Sequence, residues 1–253
     1  MVLSLVLLAG CHKDDDESVV GKDFTETVSG VSFDMVYVKG GTFQMGALED
    51  DDESYNREKP AYEVTLSDYY IGKYEVTQGL WKAVMGSNPS RSTEGDNYPV
   101  ENVSWNDVQE FIAKLNELTG RKFALPTEAQ WEYAARGGVK TQGYKYSGSN
   151  DIDEVAWYYE NSENSTHPVG AKKANELGIY DMSGNVDEWC LDWYDDYDSE
   201  AQTNPAGPET DSFRVLRGGC WYFNAWSCRV SNWTYSNQSI RNDFFGFRLV
   251  LLP

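Results

Sequence analysis

Leu125-Pro126-Thr127-Glu128-Ala129-Gln130-Trp131-Glu132-Tyr133-Ala134-Ala135-Arg136-Gly137-Gly138 is the stretch on which the fold turns. Thr127 followed three residues later by Gln130 is a capping box, in which each side chain satisfies a backbone donor that the first helical turn leaves free. The pattern predicts a short helix through Trp131 to Arg136, stopped by Gly137-Gly138. Upstream, Val108, Phe111, Ile112, Leu115 and Leu118 recur at helical spacing and predict a second helix with one buried stripe. Ser104 caps it, Asp107 occupies the capping-box position and Gly120 follows its end. A shorter helix is predicted from Thr77 to Met85.

The remaining elements read as short strands at Met35–Lys39, Thr42–Met45, Tyr62–Leu66 and Tyr69–Lys73, with Gly40-Gly41 as a hairpin turn. The acidic run Asp50-Asp51-Asp52-Glu53 reads as a solvated loop. Beyond Gly138 the chain is turn-rich, with strands expected at Phe213–Arg217 and Phe247–Leu251. Few helices, short strands and much ordered loop predict one α+β domain.

The N-terminus reads differently. Met1 to Gly10 is apolar but too short to span a bilayer, which takes roughly 20 residues. It fits the apolar part of a secretory signal. Leu8-Ala9-Gly10-Cys11 resembles a bacterial lipobox, implying lipidation of Cys11 and residues 1–11 as a lipoprotein signal. Residues 12–30, beginning His12-Lys13-Asp14-Asp15-Asp16-Glu17, read as an acidic flexible tether. A Lys followed by acids after the lipidated Cys resembles the signal that sends Bacteroidetes lipoproteins to the cell surface, so outer-membrane anchoring with surface exposure is expected. The formal net charge of -20 excludes nucleic acid as a partner, because phosphate binding needs a Lys/Arg surface. Nine Trp and 17 Tyr against five Met supply amphipathic aromatics of the kind that favour recognition surfaces.

Several motifs in order carry a family resemblance over about residues 31–253. They are Phe43-Gln44-Met45-Gly46, Tyr74-Glu75-Val76-Thr77, Val103-Ser104-Trp105 and the 125–138 stretch. Gly178-Ile179-Tyr180-Asp181-Met182-Ser183-Gly184-Asn185, Arg217-Gly218-Gly219 and Gly246-Phe247-Arg248 follow. The sequence resembles the formylglycine-generating-enzyme, or sulfatase-modifying factor, family, which implies a C-type-lectin-like fold. The resemblance implies one structural calcium site on Asp181, Gly184, Val186 and Glu188, with oxygen donors of the kind calcium takes and Gly184 free to turn its carbonyl inward. The family's oxidase holds copper on two thiolates, the soft ligands that Cu(I) requires. Here the aligned positions are Phe223 and Cys228; the neighbouring His is Asn224, and Asp187 replaces a Trp. Copper is therefore not expected, nor are catalytic residues. Cys228 is expected to pack or to pair, with Cys190 as a candidate partner. His12 and His167 suggest no metal or nucleophile site.

Trp221 to Phe245 reads WYFNAWSCRVSNWTYSNQSIRNDFF, rich in Tyr, Trp, Ser and Asn. Adjacent bulky residues such as Tyr222-Phe223 and Phe244-Phe245 cannot both point inward from one strand. The mixture resembles a paratope, in which rigid aromatics give contact area and small polar residues adapt. It also resembles the variable region of retroelement-diversified proteins, which use this fold. On that reading Cys220 is a diversified Ser, while Cys228-Arg229-Val230, Arg241 and Gly246-Phe247-Arg248 are fixed scaffold. The expected ligand site, within about 220–245, is Trp221, Tyr222, Phe223, Asn224, Trp226, Ser227, Asn232, Trp233, Tyr235, Asn237, Asp243, Phe244 and Phe245. The expected function is a surface-anchored, non-catalytic lipoprotein binding a protein or glycan on another cell or phage. Two alternatives stay open: a sulfatase-maturing oxidase or accessory factor, and a structural lipoprotein of a secretion or gliding apparatus.

Overall fold

The computed structural model describes residues 21–47, 53–92 and 95–252. Cys11 with its lipobox and Asp50-Asp51-Asp52 lie outside them. In chain order the strands are β1 (Phe24–Val28), β2 (Val31–Val38), β3 (Gly41–Met45), β4 (Tyr62–Leu66), β5 (Tyr69–Gly72) and β6 (Phe123–Ala124). They continue as β7 (Asp187–Trp193), β8 (Gln202–Thr203), β9 (Arg214–Arg217), β10 (Trp233–Ser236), β11 (Phe245–Gly246) and β12 (Val250–Leu251). The helices are α1 (Gln78–Met85), α2 (Trp105–Thr119), α3 (Glu128–Ala135) and the single turn α4 (Ile152–Val155). The sheets run β1-β2-β5-β12-β6, β10-β9-β7-β11 and β3-β4-β8.

The capping signals place the helices where they were read. Thr127 Oγ1 accepts from Gln130 N at 3.2 Å and Gln130 Oε1 accepts from Thr127 N at 3.0 Å. Ser104 and Asp107 close the same reciprocal pair at 3.2 and 2.8 Å. The apolar stripe of α2 enters one core, where Trp81 stacks on Phe111 with ring centres 5.0 Å apart and Phe247 meets both edge-on. A second core gathers around Trp131, Tyr69, Ile71 and Trp233.

Four readings are corrected. Leu118 is 56% exposed; the buried stripe of α2 ends at Leu115. Gly40-Gly41 is no hairpin turn: β2 pairs with β1 and β5, while β3 pairs with β4 in another sheet. Gly40 is instead a close crossing, where a Cβ would lie 2.3 Å from the Leu66 carbonyl oxygen. Phe24–Val28, placed in the tether, is a strand antiparallel to β2, so the folded domain begins earlier than read. Its Phe24 packs edge-on against Tyr70 at 5.2 Å. Of the last predicted strand, Phe247–Leu251, only Val250–Leu251 forms one (β12); the buried Phe247, Arg248 and Leu249 connect it to β11, which was not predicted.

Three buried arginines join these layers. Arg217 reaches Glu128 at 2.6 Å and Glu132 at 2.7 Å, both on α3, and donates to the carbonyls of Val230 and Asn232. Arg248 clamps Glu188 through two 2.6 Å bonds, and Glu188 also accepts from Trp131 Nε1 at 2.8 Å. Arg229 pairs with Glu58 at 2.7 and 2.9 Å. Removing one partner of a buried pair strands the other charge without solvent, at a cost of about 3–5 kcal/mol. Arg217→Met is therefore expected to lower unfolding free energy by about that amount in urea titration. Adding Glu128→Gln and Glu132→Gln should recover part of the loss, and failure to recover any would mean that the arginine acts through packing alone.

Candidate ligand-binding site

The site begins where β9 ends. Gly219, at φ 71°, turns the chain so tightly that a Cβ there would lie 2.7 Å from the Ser227 carbonyl oxygen. Residues 220–228 consequently fold back on themselves. Phe223 N bonds the Cys220 carbonyl at 3.2 Å, and Asn224 Oδ1 caps the 3-10 turn Ala225–Cys228 by accepting from Trp226 N at 3.1 Å. Arg229, held by Glu58, anchors the far end. Between these anchors exposure alternates: Tyr222, Asn224 and Trp226 face solvent, whereas Trp221, Phe223 and Ser227 are half-buried.

Two aromatic patches result. In the first, Tyr222 stacks parallel to Phe244 at 6.0 Å, and Phe223 meets both rings edge-on. Trp221 Nε1 donates to the Asp243 carbonyl at 3.1 Å, and the Asp243 carboxylate faces Arg91 at 3.3 Å. Tyr159, also exposed, is tied alongside through its N–H to the Phe223 carbonyl. In the second, Trp226 (40% exposed) packs against Tyr55 at 6.0 Å. Arg57 lies over Tyr55 and the edge of Trp233, and Tyr235 (44% exposed) joins Tyr194 and Phe213 at 4.8 and 5.0 Å. Asn237 is exposed and its amide oxygen holds the turn at Ser239.

Three of the expected contact residues do not belong to this surface. Trp233 is 2% exposed, enclosed by Tyr194, Tyr197 and Arg57. Asn232 is buried and donates to Glu58 at 3.1 Å. Phe245 is buried edge-on against Trp189 at 5.0 Å. Cys220, read as a diversified position, is also buried. Conversely, Tyr55, Arg57, Tyr159, Tyr194 and Phe213 join the surface from distant segments. Composition within 221–245 carries no signal for them.

The two metal readings meet different surroundings. Glu188, an expected calcium ligand, has both carboxylate oxygens on Arg248, whose positive charge at 2.6 Å opposes a second cation. Asp181 Oδ2 accepts from Gly170 N at 2.7 Å. The copper pair lacks one member, since Phe223 places a ring where one thiolate is needed. The three described cysteines are free and buried. Cys190 sits in the core of Trp131 and Tyr69, whereas Cys228 packs with Tyr146, Val155 and Tyr158, so they do not pair.

Comparison with known proteins places the chain in a family. The model of the sulfatase-modifying factor enzyme 1-like domain matches residues 22–252. "Chaperone protein LppX" of Paenibacillus barcinonensis is 39% identical over 251 residues, covering 79% of this chain and 83% of that protein. The structure of Treponema denticola variable protein 1 is 34% identical with a TM-score of 0.85, covering 91% of this chain and 99% of that one. The formylglycine-generating enzyme of Thermomonospora curvata is 28% identical, covering 87% and 93% respectively.

Several buried carboxyls contribute to the pH response: burial pushes Glu101 up to about 7 and Asp181 up to about 6, and drives Glu75 well above its ordinary value. Burial pushes Asp187 up to about 7 and, with the charge of Glu128 adding to it, Asp192 up to about 8. An unfolded Asp ionises near 3.9, so between about pH 4 and 8 the unfolded chain gives up protons that the folded chain keeps. Stability therefore falls as pH rises through that window. Glu58 shifts the other way: burial raises it, but the Arg229 bond and its other partners outweigh this, and its contribution is confined to lower pH. The urea midpoint is expected to be higher at pH 5 than at pH 8. Asp192→Asn should flatten the difference, and an unchanged slope would contradict the assignment.

Proposed function

The chain belongs to the sulfatase-modifying factor enzyme 1-like domain family, and we propose that within it this protein is a non-catalytic binding protein whose ligand site is the aromatic surface. The observation that carries the reading is the exposure of Tyr222, Trp226 and Tyr235 on a segment held from beneath by buried ion pairs. Large aromatics gain nothing from such exposure in the free protein. They give contact area to a partner at low conformational cost. The partner we infer is a protein or glycan on another cell or phage, reached by an outer-membrane lipoprotein anchored through Cys11.

Diversification by a retroelement is part of the proposal. The residues read as fixed scaffold are the anchored ones: Cys228, Phe247 and Arg248 are wholly buried, Arg229 pairs with Glu58, and Arg241 clamps Asp107 at 2.5 and 2.6 Å. The changeable Tyr, Asn and Trp positions include most of the exposed ones. A variable protein at 34% identity over nearly its whole length supports this reading. That a 39% identical relative is named a chaperone supports recognition of a macromolecule over turnover of a small one. The competing oxidase reading is favoured by the formylglycine-generating relatives and by Cys228, and it lacks the partner thiolate at Phe223.

Labelled protein binding to intact cells, counted by flow cytometry, tests the assignment. Tyr222→Ala and Trp226→Ala are each expected to weaken binding by about 2 kcal/mol, roughly thirtyfold in Kd, with melting temperature nearly unchanged. Copper-dependent oxidation of a Cys-containing sulfatase peptide, lost on Cys228→Ser, would refute it. The anchor is tested separately: Cys11→Ser should release the protein from membranes and abolish lipid labelling, and continued outer-membrane fractionation would sink that part.

A further inference from the structure

We propose that Cys220 and Cys228 are an oxidisable pair that closes a disulfide beneath the aromatic rim, fastening residues 221–227 into a ring. The two cysteines bracket the 3-10 turn and the exposed Tyr222, Asn224 and Trp226. Both are fully buried. Gly219, the residue before Cys220, passes so close that a Cβ there would lie 2.9 Å from Cys228 Sγ. The Cys220 carbonyl and the Cys228 sulfur are each drawn into the turn, the first by Phe223 N at 3.2 Å and the second by the Asn224 carbonyl at 3.9 Å. Cys190 lies in a different core cluster.

Asp187 completes the group. It is buried on β7 close to Cys220, and its Oδ2 has no hydrogen-bond partner among the described residues. Its charge also reaches Cys228. Burial drives both thiols upward, so neither reacts readily in the closed fold, and exchange proceeds when the segment opens locally. The oxidant is an external disulfide, either low-molecular-weight or that of a thiol oxidase. Cys220 thiolate attacks one of its sulfurs, forming a mixed disulfide and expelling a thiolate. Cys228 then attacks the Cys220 sulfur and expels the second. The protein loses two electrons and two protons, which leave on two released thiols.

Closing this nine-residue ring restricts the unfolded chain, worth up to roughly a hundredfold in the folding equilibrium. In a domain of this size that corresponds to a rise of roughly 5–10 °C in Tm. The test incubates the full chain with oxidised glutathione, alkylates the remaining thiols in denaturant and maps the linked peptides. Cys220 joined to Cys228 is the expected result, unchanged in Cys190→Ser and absent in Cys220→Ser. Recovery of both as alkylated thiols, or linkage to Cys190 or Cys11, would overturn the proposal. Amide exchange in 221–227 should slow on oxidation; equal exchange would show that no latch exists. The linkage is read chemically, so it can fail while the Tyr222 and Trp226 variants still lose binding, and the reverse.

Discussion

Arg217 suspended between Glu128 and Glu132 is the constraint around which the rest of the molecule is arranged. A guanidinium without solvent needs its donors answered, and its rigid fork fixes the directions from which answers can come. Two come from one face of α3, one from the Tyr197 hydroxyl and two from the carbonyls just before β10. Both terminal nitrogens are thereby answered, while Nε has no hydrogen-bond partner among the described residues. The same helix sends Trp131 to Glu188, and Glu188 is held by Arg248 near the C-terminus. Arg136 closes the other end by bonding Glu132 and the Gly46 carbonyl. An eight-residue helix thereby joins elements from the first sheet to the last strand. Most of the short strands have little stability of their own, and this polar skeleton is what specifies how they meet.

A skeleton of that kind separates holding from contacting. Arg229 and Glu58 fasten one end of the aromatic segment and Arg241 and Asp107 fasten its return. The side chains between them carry little of the fold and can change without loosening it. The exceptions obey the same logic. Trp233 and Tyr235 project from the same face of β10, yet Tyr197 and Arg57 cover the first, while Tyr194 and Phe213 border the second and leave it partly open. A position two residues along a strand thus changes from core to contact surface because the covering elements end.

Local signals were legible in the sequence to the extent that they are local. The capping boxes at Ser104 and Thr127 need only the next turn, and they located both helices. Leu118 misled because periodicity reports a face and not where along it burial ends. Gly40-Gly41 resembled a turn, whereas its role is a close approach to Leu66, an element 26 positions away in the chain. Asp181 and Glu188 have the donor chemistry of a calcium site, and only the structure reveals that Arg248 already satisfies Glu188. The contact surface was half legible: composition marked residues 221–245, but Tyr55, Arg57 and Phe213 join it through tertiary packing that no window of sequence contains.

The acidity of the chain and the aromatic surface are best understood together. Exposed Tyr and Trp clusters are a self-association hazard, because any second copy offers the same rings. A net charge of -20 makes every pair of copies repel, and Asp195, Asp196 and Asp243 border the rings themselves. A partner that is neutral or positive meets no such barrier. The charge therefore discriminates against the like copy, while the aromatics supply contact energy to whatever else arrives. That division explains why an apolar patch can be displayed here without a covering strand or helix.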